Sequence, residues 1–213
     1  MANHTNIILL HGILRTDKSM SSIAKALGQQ GFNVLNIRYP SRQKTFYDIV
    51  DFIHQEIKKN NLEKANLSFI SHSMGSLLTR AYIQKYKPTA NKVIMLSPPN
   101  NGSKLATIFK NWYFYKKLFG KAGQILHENS HIIKSLPKNI PCTTGIIAGT
   151  LPLNPITPLL LKSRNDGVVT IESMKSIQYN DLIELKVNHN YMVYNSSVIR
   201  QVINFMNHSK FYH

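Results

Sequence analysis

The stretch FISHSMGSLLTR (residues 69–80) places Ser73 between an apolar run and a segment typical of a helix. Ser71 and Gly75, both small, stand two residues before it and two residues after it. A strand that turns sharply into a helix needs small residues there, because the neighbouring backbones come close together. Such a turn would expose the Ser73 hydroxyl at a helix N-terminus, where the Met74 amide points at developing negative charge. The pattern predicts a nucleophilic serine, although these are also ordinary turn residues.

Short apolar runs alternate with longer amphipathic segments along the chain. Strands are predicted at 6–10, 32–37, 66–71, 91–96, 143–149 and 181–187, and helices at 19–30, 45–60, 74–86 and 195–207. Such alternation favours a parallel sheet covered by helices on both faces. Ligands of these sheets bind beyond the carboxyl ends of the strands, so the residues that follow each strand are the candidates for a site.

The sequence HSMG after one strand and LLHGIL after the first strand resemble the α/β-hydrolase superfamily, most closely its small bacterial lipase- and esterase-like members. The segments NIRYPSR (36–42), MLSPPNNGS (95–103) and SRNDGVV (163–169) follow in the order that this group shows. The resemblance covers nearly the whole chain. It implies an α/β-hydrolase fold with a mostly parallel sheet of about six strands, shortened at the N-terminus because the His-Gly loop arrives at residue 11. The usual pattern has glycine where this chain has Ser71, which we expect to cause only slight strain.

A nucleophilic serine needs a base, and the base needs a carboxylate that orients it. The resemblance implies the order serine, then Asp or Glu, then His. His189 lies in the loop after strand 181–187, where the superfamily carries its base. Asp166 lies in a turn after strand 143–149, so Ser73, Asp166 and His189 are the predicted triad. Weaker candidates for the acid are Glu128, Glu172, Asp181 and Glu184.

The oxyanion formed in acyl transfer needs two hydrogen-bond donors. The first is predicted to be the backbone N–H of Met74. The resemblance points to the amide of Ile13, just after the first strand, as the second. His11, Gly12 and Gly75 are interpreted as residues that support the two turns, with His11 bracing its loop rather than catalysing.

Residues 100–140 form an insertion between two predicted strands. Its segment LATIFKNWYFYKKLFGKAG (105–123) contains six aromatic residues, and residues 104–121 include five lysines and no acidic residue. The resemblance implies a lid or cap here. This would be an amphipathic lid over an acyl pocket, with weak association to an anionic membrane surface, or a helix whose aromatic residues belong to the core. A second apolar loop, 150–161, could line an acyl site or merely pack.

The sequence HENSH (127–131) is a literal H-E-x-x-H motif, which on a helix places two histidines on one face to bind zinc. Asn129 and Ser130 are indifferent helix formers, Pro137 follows soon after, and no third ligand is obvious. The segment also lies within the insertion of a chain that already supplies a serine site. We therefore expect a surface helix here and no metal site.

The chain has 213 residues, 43% hydrophobic and 17% charged, a composition typical of one globular domain spanning residues 1–213. Lys and Arg number 26 against 10 acidic residues, which gives a formal net charge of +16. The resulting positive electrostatic potential attracts anionic lipid, acidic substrates or nucleic acid, although a basic surface can also simply keep a protein soluble. Nucleic acid is not the expected partner, and the sequence does not predict the oligomeric state.

No segment of the sequence predicts export or membrane insertion. No apolar run approaches 18 residues, and the N-terminal run IILL is too short for a signal peptide. The single cysteine, Cys142, rules out an internal disulfide and fits a reducing compartment. The expected location is the cytoplasm, with peripheral association to a membrane left open.

These features predict a serine hydrolase that cleaves carboxylic esters of small molecules or lipids through an acyl-enzyme on Ser73, without a cofactor. An amidase, thioesterase or acyltransferase could use the same site. From a different class, the chain could be a basic surface-binding protein whose hydrolase site is vestigial.

Overall fold

The computed structural model describes residues 5–152 and 160–213. Six strands form one sheet in the order β2-β1-β3-β4-β5-β6, and every neighbouring pair is parallel. They are β1 (Asn6–Leu10), β2 (Asn33–Ile37), β3 (Leu67–His72), β4 (Ala90–Leu96), β5 (Thr143–Gly149) and β6 (Asp181–Leu185). The predicted parallel sheet of about six strands is confirmed.

Helices cover both faces of this sheet. The α-helices among the described residues are α1 (Ser21–Gln29), α2 (Phe46–Lys59), α3 (Met74–Tyr86), α4 (Lys104–Phe109), α5 (Tyr113–Gly123), α6 (His131–Ser135), α7 (Ile171–Met174) and α8 (Ser196–His208). Alternate residues of a strand point to opposite faces. Accordingly Ile7 and Leu9 pack in the core with α1 and α8, whereas Ile8 and Leu10 pack in the core with α2 and α3.

Local sequence explains where α2 begins and which face it buries. The Thr45 side chain accepts a hydrogen bond from the Asp48 amide, and the Asp48 carboxylate accepts one from the Thr45 amide. This capping box satisfies amides that would otherwise lack partners at the helix start. Ile49, Ile53 and Ile57 recur at helical spacing and are fully buried against the sheet.

Most predicted ends of strands and helices agree with the structure to within one residue, and two elements differ more. The predicted helix 19–30 is a 3-10 turn at Asp17–Met20 followed by α1, and the last strand ends at Leu185 rather than at residue 187. The predicted apolar loop 150–161 falls mainly on residues 153–159, which lie outside the described residues.

The insertion of residues 100–140 contains α4, α5 and α6 and is fastened to α3 by a buried arginine. The Arg80 guanidinium donates hydrogen bonds to the carbonyls of Asn100, Leu136 and Pro137. Burial lowers the pKa of Arg80 to about 10, so the group keeps its charge at neutral pH. Both ends of the insertion are therefore held against the face covered by α2 and α3. Within residues 5–152 and 160–213, no helix is long and apolar enough to span a bilayer.

Candidate active site

Ser73 occupies the sharp corner between β3 and α3. Its backbone has φ +54° and ψ −123°, a conformation that non-glycine residues rarely adopt. Its amide donates to the carbonyl of Leu96 in the neighbouring strand at 3.0 Å, which helps to hold the corner. A Cβ atom at Gly75 would lie 2.5 Å from the carbonyl oxygen of Leu10. Only glycine lets α3 pack this closely on β1, as the turn pattern predicted.

Ser71 stands where the usual turn pattern has glycine. Its backbone does not adopt the left-handed conformation that would require glycine. Ser71 is completely buried, and its hydroxyl lies 3.3 Å from the hydroxyl of Ser76 in the first turn of α3. The Ser76 hydroxyl also lies within hydrogen-bond distance of the Ser71 carbonyl, at 3.2 Å. The extra hydroxyl is therefore accommodated by polar contacts, and the unusual backbone geometry of the corner resides at Ser73.

Ser73, His189 and Asp166 meet beyond the carboxyl ends of β3, β5 and β6. The Ser73 Oγ lies 3.0 Å from His189 Nε2, and His189 Nδ1 lies 2.6 Å from Asp166 Oδ2. The carboxylate fixes the Nδ1–H tautomer, which leaves Nε2 free to accept the serine proton. All three residues are buried, with exposed fractions of 7%, 4% and 0% respectively. The structure thus brings together the three residues that the sequence analysis selected.

Backbone amides hold the Asp166 carboxylate in position. Its Oδ1 accepts hydrogen bonds from the amides of Val168 at 3.0 Å and Val169 at 2.8 Å. Its backbone carbonyl accepts a hydrogen bond from the His189 amide at 3.0 Å. The Asp166 turn and the His189 loop are therefore attached to each other through main chain as well as side chains.

The weaker candidates for the acid lie elsewhere. Asp181 accepts hydrogen bonds from the Phe211 amide and His213 at the opposite end of β6. Glu184 pairs with Arg164 and Lys175. Glu128 contacts Thr107, and Glu172 is exposed in α7.

His72 contributes to the site in a way that the sequence analysis missed. Its ring is buried beside His189, with ring centroids 4.9 Å apart, and its Nε2–H donates to the His189 carbonyl at 2.9 Å. Burial holds the pKa of His72 well below its usual range, so the ring is neutral at pH 7. The only sequence signal was its position next to Ser73.

The loop after β1 passes directly over the corner. A Cβ atom at Gly12 would lie 3.2 Å from the Ser73 Cβ and 3.0 Å from His72 Nδ1. The same loop carries Ile13, in a turn closed by the Arg15 amide donating to the Gly12 carbonyl at 3.3 Å. On the other side of the serine, the amide of Met74 starts α3 and has no partner within its helix. Both predicted oxyanion donors therefore belong to segments adjacent to Ser73.

His11 holds this loop through hydrogen bonds and ring stacking. Its Nδ1–H donates to the Gly12 carbonyl at 2.8 Å, and its ring stacks on Tyr39 with centroids 3.9 Å apart. The Tyr39 hydroxyl donates to the His11 carbonyl. Burial lowers the pKa of His11 and raises that of Tyr39. Within the described residues, neither side chain hydrogen-bonds to the Ser73 hydroxyl, and both contact the main chain of the loop after β1.

An apolar cavity of about 520 Å³ opens beside Ser73 and His189. Much of its wall comes from the insertion and is apolar: Leu105, Ala106, Phe109, Tyr115, Phe119 and Leu126. The rings of Tyr115 and Phe119 are stacked with centroids 4.4 Å apart. Burial raises the pKa of the Tyr115 hydroxyl to about 12, so it carries no charge at neutral pH. The cavity suits an uncharged, apolar group attached to a carbonyl at Ser73.

The H-E-x-x-H segment does not form the surface helix that was expected. His127 is extended and pairs in a β-bridge with Ser103, whereas His131 begins α6 after a cap by the Ser130 hydroxyl. The intervening turn removes the helical face that this zinc motif requires. Throughout the described part of the chain, no cluster of three or more His, Cys, Asp or Glu residues could hold a metal ion.

A family model described as palmitoyl protein thioesterase matches residues 6–135, which is more than half of the chain. The match includes β1, the Ser73 corner and most of the insertion. A search of curated proteins found no significant match.

Solved hydrolase structures resemble the whole fold. The mature form of Bacillus licheniformis lipase BlEst2 has a TM-score of 0.73 at 15% identity, covering 97% of this chain and 92% of that one. Its propeptide form has a TM-score of 0.75 at 17% identity, covering 91% and 48%. Phospholipase PlaB from Legionella pneumophila has a TM-score of 0.65 at 19% identity, covering 81% and 46%. The chain thus spans about half the length of the last two structures. At these identities the comparison shows the fold alone, which is the α/β-hydrolase fold.

Proposed function

The chain belongs to the palmitoyl protein thioesterase family, and we propose that it is a serine hydrolase that cleaves acyl esters or thioesters through Ser73. The hydrogen-bond chain from Asp166 through His189 to Ser73, beside an apolar cavity, carries this proposal. The family description names a palmitoyl group, and two similar structures are named a lipase and a phospholipase. Substrates with an apolar acyl chain are therefore the first to test.

In the proposed reaction, His189 Nε2 takes the proton of Ser73 while Oγ attacks the acyl carbonyl. The amides of Ile13 and Met74 donate to the oxyanion that forms. His189 then gives the proton to the leaving oxygen or sulfur, the bond from the carbonyl carbon to the leaving group breaks, and the acyl group stays on Ser73. Water, deprotonated by His189, attacks this ester, and the acid and free serine are released.

We propose that the insertion acts as the lid of this site and that its outer side contacts an anionic membrane surface. The inner residues Tyr115 and Phe119 of α5 line the cavity. Tyr113, Phe114 and Leu118 point outward and are 70%, 78% and 50% exposed. Exposed lysines accompany them at positions 116 and 117. This division of α5 into an inner and an outer side supports the proposal, because one short helix offers both a cavity wall and an exposed aromatic and basic face.

A fluorophosphonate probe tests the proposed nucleophile directly. The native protein should be labelled at Ser73, and Ser73→Ala should abolish labelling while the circular dichroism spectrum persists. Ser22→Ala, in α1 on the opposite face of the sheet, is the matched control and should label normally. If folded native protein is not labelled, the enzymatic proposal fails and the alternative of a basic surface-binding protein gains support.

Substrate panels then separate the enzymatic alternatives. p-Nitrophenyl esters and thioesters of graded acyl length should be hydrolysed, with a preference for longer chains that fill the cavity. Faster cleavage of matched amides, or transfer of the acyl group to an added alcohol instead of water, would identify an amidase or an acyltransferase.

A further inference from the structure

A second cavity, of about 550 Å³, adjoins the apolar one and has the opposite character. Leu14 and Arg15 line both cavities, so the two lie next to each other at the mouth of the candidate active site. Arg38 and Arg42 complete a set of three arginines in its wall, and its lining includes no acidic residue among those that the structure describes.

Each arginine keeps hydrogen-bond donors for a ligand. Arg15 donates one bond to Asn190 at 3.0 Å, next to His189, and Arg42 donates one to the Lys117 carbonyl at 3.2 Å. Arg38 lies 3.9 Å from Asp17 and its side chain is 73% exposed. A guanidinium group has five N–H donors, so most remain unused.

Further cationic side chains lie beyond the second cavity, on the side away from the apolar cavity. A third depression beyond the second cavity shares Arg42 with it and is also lined by Lys116 and Lys121. Five cationic side chains therefore follow one another from the mouth of the apolar cavity to α5. Asp17 is the one carboxylate paired with any of the three arginines within the described residues.

We propose that the second cavity binds a phosphate group carried by the leaving portion of the substrate. This inference rests on the proposed function, because it assumes an acyl carbonyl at Ser73. With the acyl chain in the apolar cavity, the second cavity, next to it at Arg15, is the place that we assign to the leaving group. Arginine forks match phosphate oxygens in pairs, and three arginines with two lysines beyond suit a group of more than one negative charge. The substrates are then acyl esters or thioesters whose alcohol or thiol carries phosphate.

Two pairs of water-soluble substrates test this preference and separate its two sources. Hexanoyl-coenzyme A is compared with S-hexanoyl-N-acetylcysteamine, and dihexanoylphosphatidic acid with dihexanoylglycerol. The members of each pair have the same acyl group and reacting bond. The glycerol pair differs in phosphate alone, whereas coenzyme A also carries a nucleotide and a pantoyl portion, so a preference in the thioester pair supports the site only where Arg38→Gln lowers it. We expect kcat/KM to favour the phosphate-bearing member of at least one pair, and that pair identifies a phosphorylated thiol or a phospholipid as the source.

The variant Arg38→Gln should lower this preference about tenfold, the usual effect of losing a hydrogen bond to a charged group. Lys25→Gln, exposed in α1 on the other face of the sheet, removes the same charge and should leave the preference unchanged. The inference is overturned if neither pair shows a preference, or if Lys25→Gln lowers it as much as Arg38→Gln does.

Failure of this inference is distinguishable from failure of the proposed function. Hydrolysis of both members of each pair at equal rates would leave the serine hydrolase intact and remove the phosphate site. If no substrate is cleaved and Ser73 is not labelled, calorimetry with Ser73→Ala still tests the cavity. Binding of hexanoyl-coenzyme A that is tighter than that of the N-acetylcysteamine thioester, and that weakens with Arg38→Gln, supports the site; equal binding overturns it.

Discussion

Asp166 is expected to act in the candidate site through its charge and through the proton that its hydrogen bond keeps on His189 Nδ1. Asp166→Asn preserves the side-chain shape but removes the charge and favours the wrong histidine tautomer, so kcat should fall by about 10⁴. Ser73→Ala and His189→Ala should cost similar factors. Because the three residues act as a unit, the double variant Ser73→Ala/His189→Ala should be scarcely slower than either of its single variants. For each variant, kcat is measured by ester hydrolysis, and circular dichroism shows whether the protein is folded.

A folded Ser73→Ala protein that retains most of its activity would place the nucleophile elsewhere. A mild effect confined to Asp166→Asn would mean that the carboxylate is not needed to orient His189. Glu172→Gln, an exposed acid in α7, serves as a matched control and should leave kcat unchanged.

His72 is expected to position the base rather than to exchange protons with substrate. His72→Phe keeps a ring against His189 but leaves the His189 carbonyl without its donor. A hydrogen bond of this kind contributes about 1 kcal/mol, so kcat should fall about fivefold to tenfold with little change in KM. His54→Phe removes another partly buried ring, stacked on Tyr86 far from Ser73, and is the control. Equal loss in both variants would indicate general destabilisation instead.

At the scale of elements, α5 combines an inner wall for the apolar cavity with an exposed outer face. Arg42 fixes its orientation, because its carbonyl accepts from the Lys121 amide and its guanidinium donates to the Lys117 carbonyl. Gly120, with φ +62°, permits the close approach, since a Cβ atom there would overlap the Arg42 carbonyl. The kink at Gly120 therefore lets one short helix pack against the loop after β2 while its outer aromatic residues stay exposed.

The outer face of α5 should bind anionic vesicles. A lysine near an anionic surface contributes about 1 kcal/mol within a Debye length, so we expect salt-sensitive binding to anionic vesicles and little to neutral ones. Phe114→Ser and Lys117→Gln should each weaken binding in a sedimentation assay, without slowing hydrolysis of a soluble short-chain ester. Lys58→Gln, at the end of α2, is the charge-matched control. Equal binding to both kinds of vesicle, or none at low salt, would remove the membrane proposal.

At the scale of the whole molecule, two buried histidines make stability depend on pH. Burial lowers the pKa values of His11 and His72 below the value of about 6.5 that histidine has in an unfolded chain. Below about pH 6.5 the unfolded chain therefore binds protons that the native protein does not. The stabilisation is complete above that pH and is lost as the pH falls towards the native pKa values.

Urea denaturation at pH 7, 6 and 5 should show the free energy of unfolding decreasing with acidity, by at most about 1.4 kcal/mol per pH unit for each histidine. His72→Phe removes one titrating group, so its dependence should be shallower than that of the native protein. Carboxylates with lowered pKa values, such as Glu184, affect stability only at more acidic pH. A free energy of unfolding that is constant from pH 7 to 5 would contradict this prediction.

The sequence by itself determined the order in which strands and helices follow one another along the chain, and the candidate residues that come after the strands. Ser73 could be selected because its turn needs small residues at fixed local positions, whereas Asp166 and His189 were selected from the order that the resemblance to α/β-hydrolases implies. Strand ends agreed to within one or two residues, since hydrophobic periodicity reports burial but not the last ladder hydrogen bond. The H-E-x-x-H segment was mispredicted as a helix, because tertiary pairing of His127 with Ser103 replaced a weak helical preference.

Only the tertiary structure decided which aromatic residues of α5 line a cavity and which face solvent. Phe114 and Phe119 have the same side chain, so hydrophobicity cannot separate them, whereas packing places one outside and one beside Ser73. The arginine-lined cavity is a similar case. Arg15 follows β1 and Arg38 follows β2, and they converge because these strands are neighbours in the sheet. Strand adjacency depends on long-range pairing, which no local pattern in the sequence encodes.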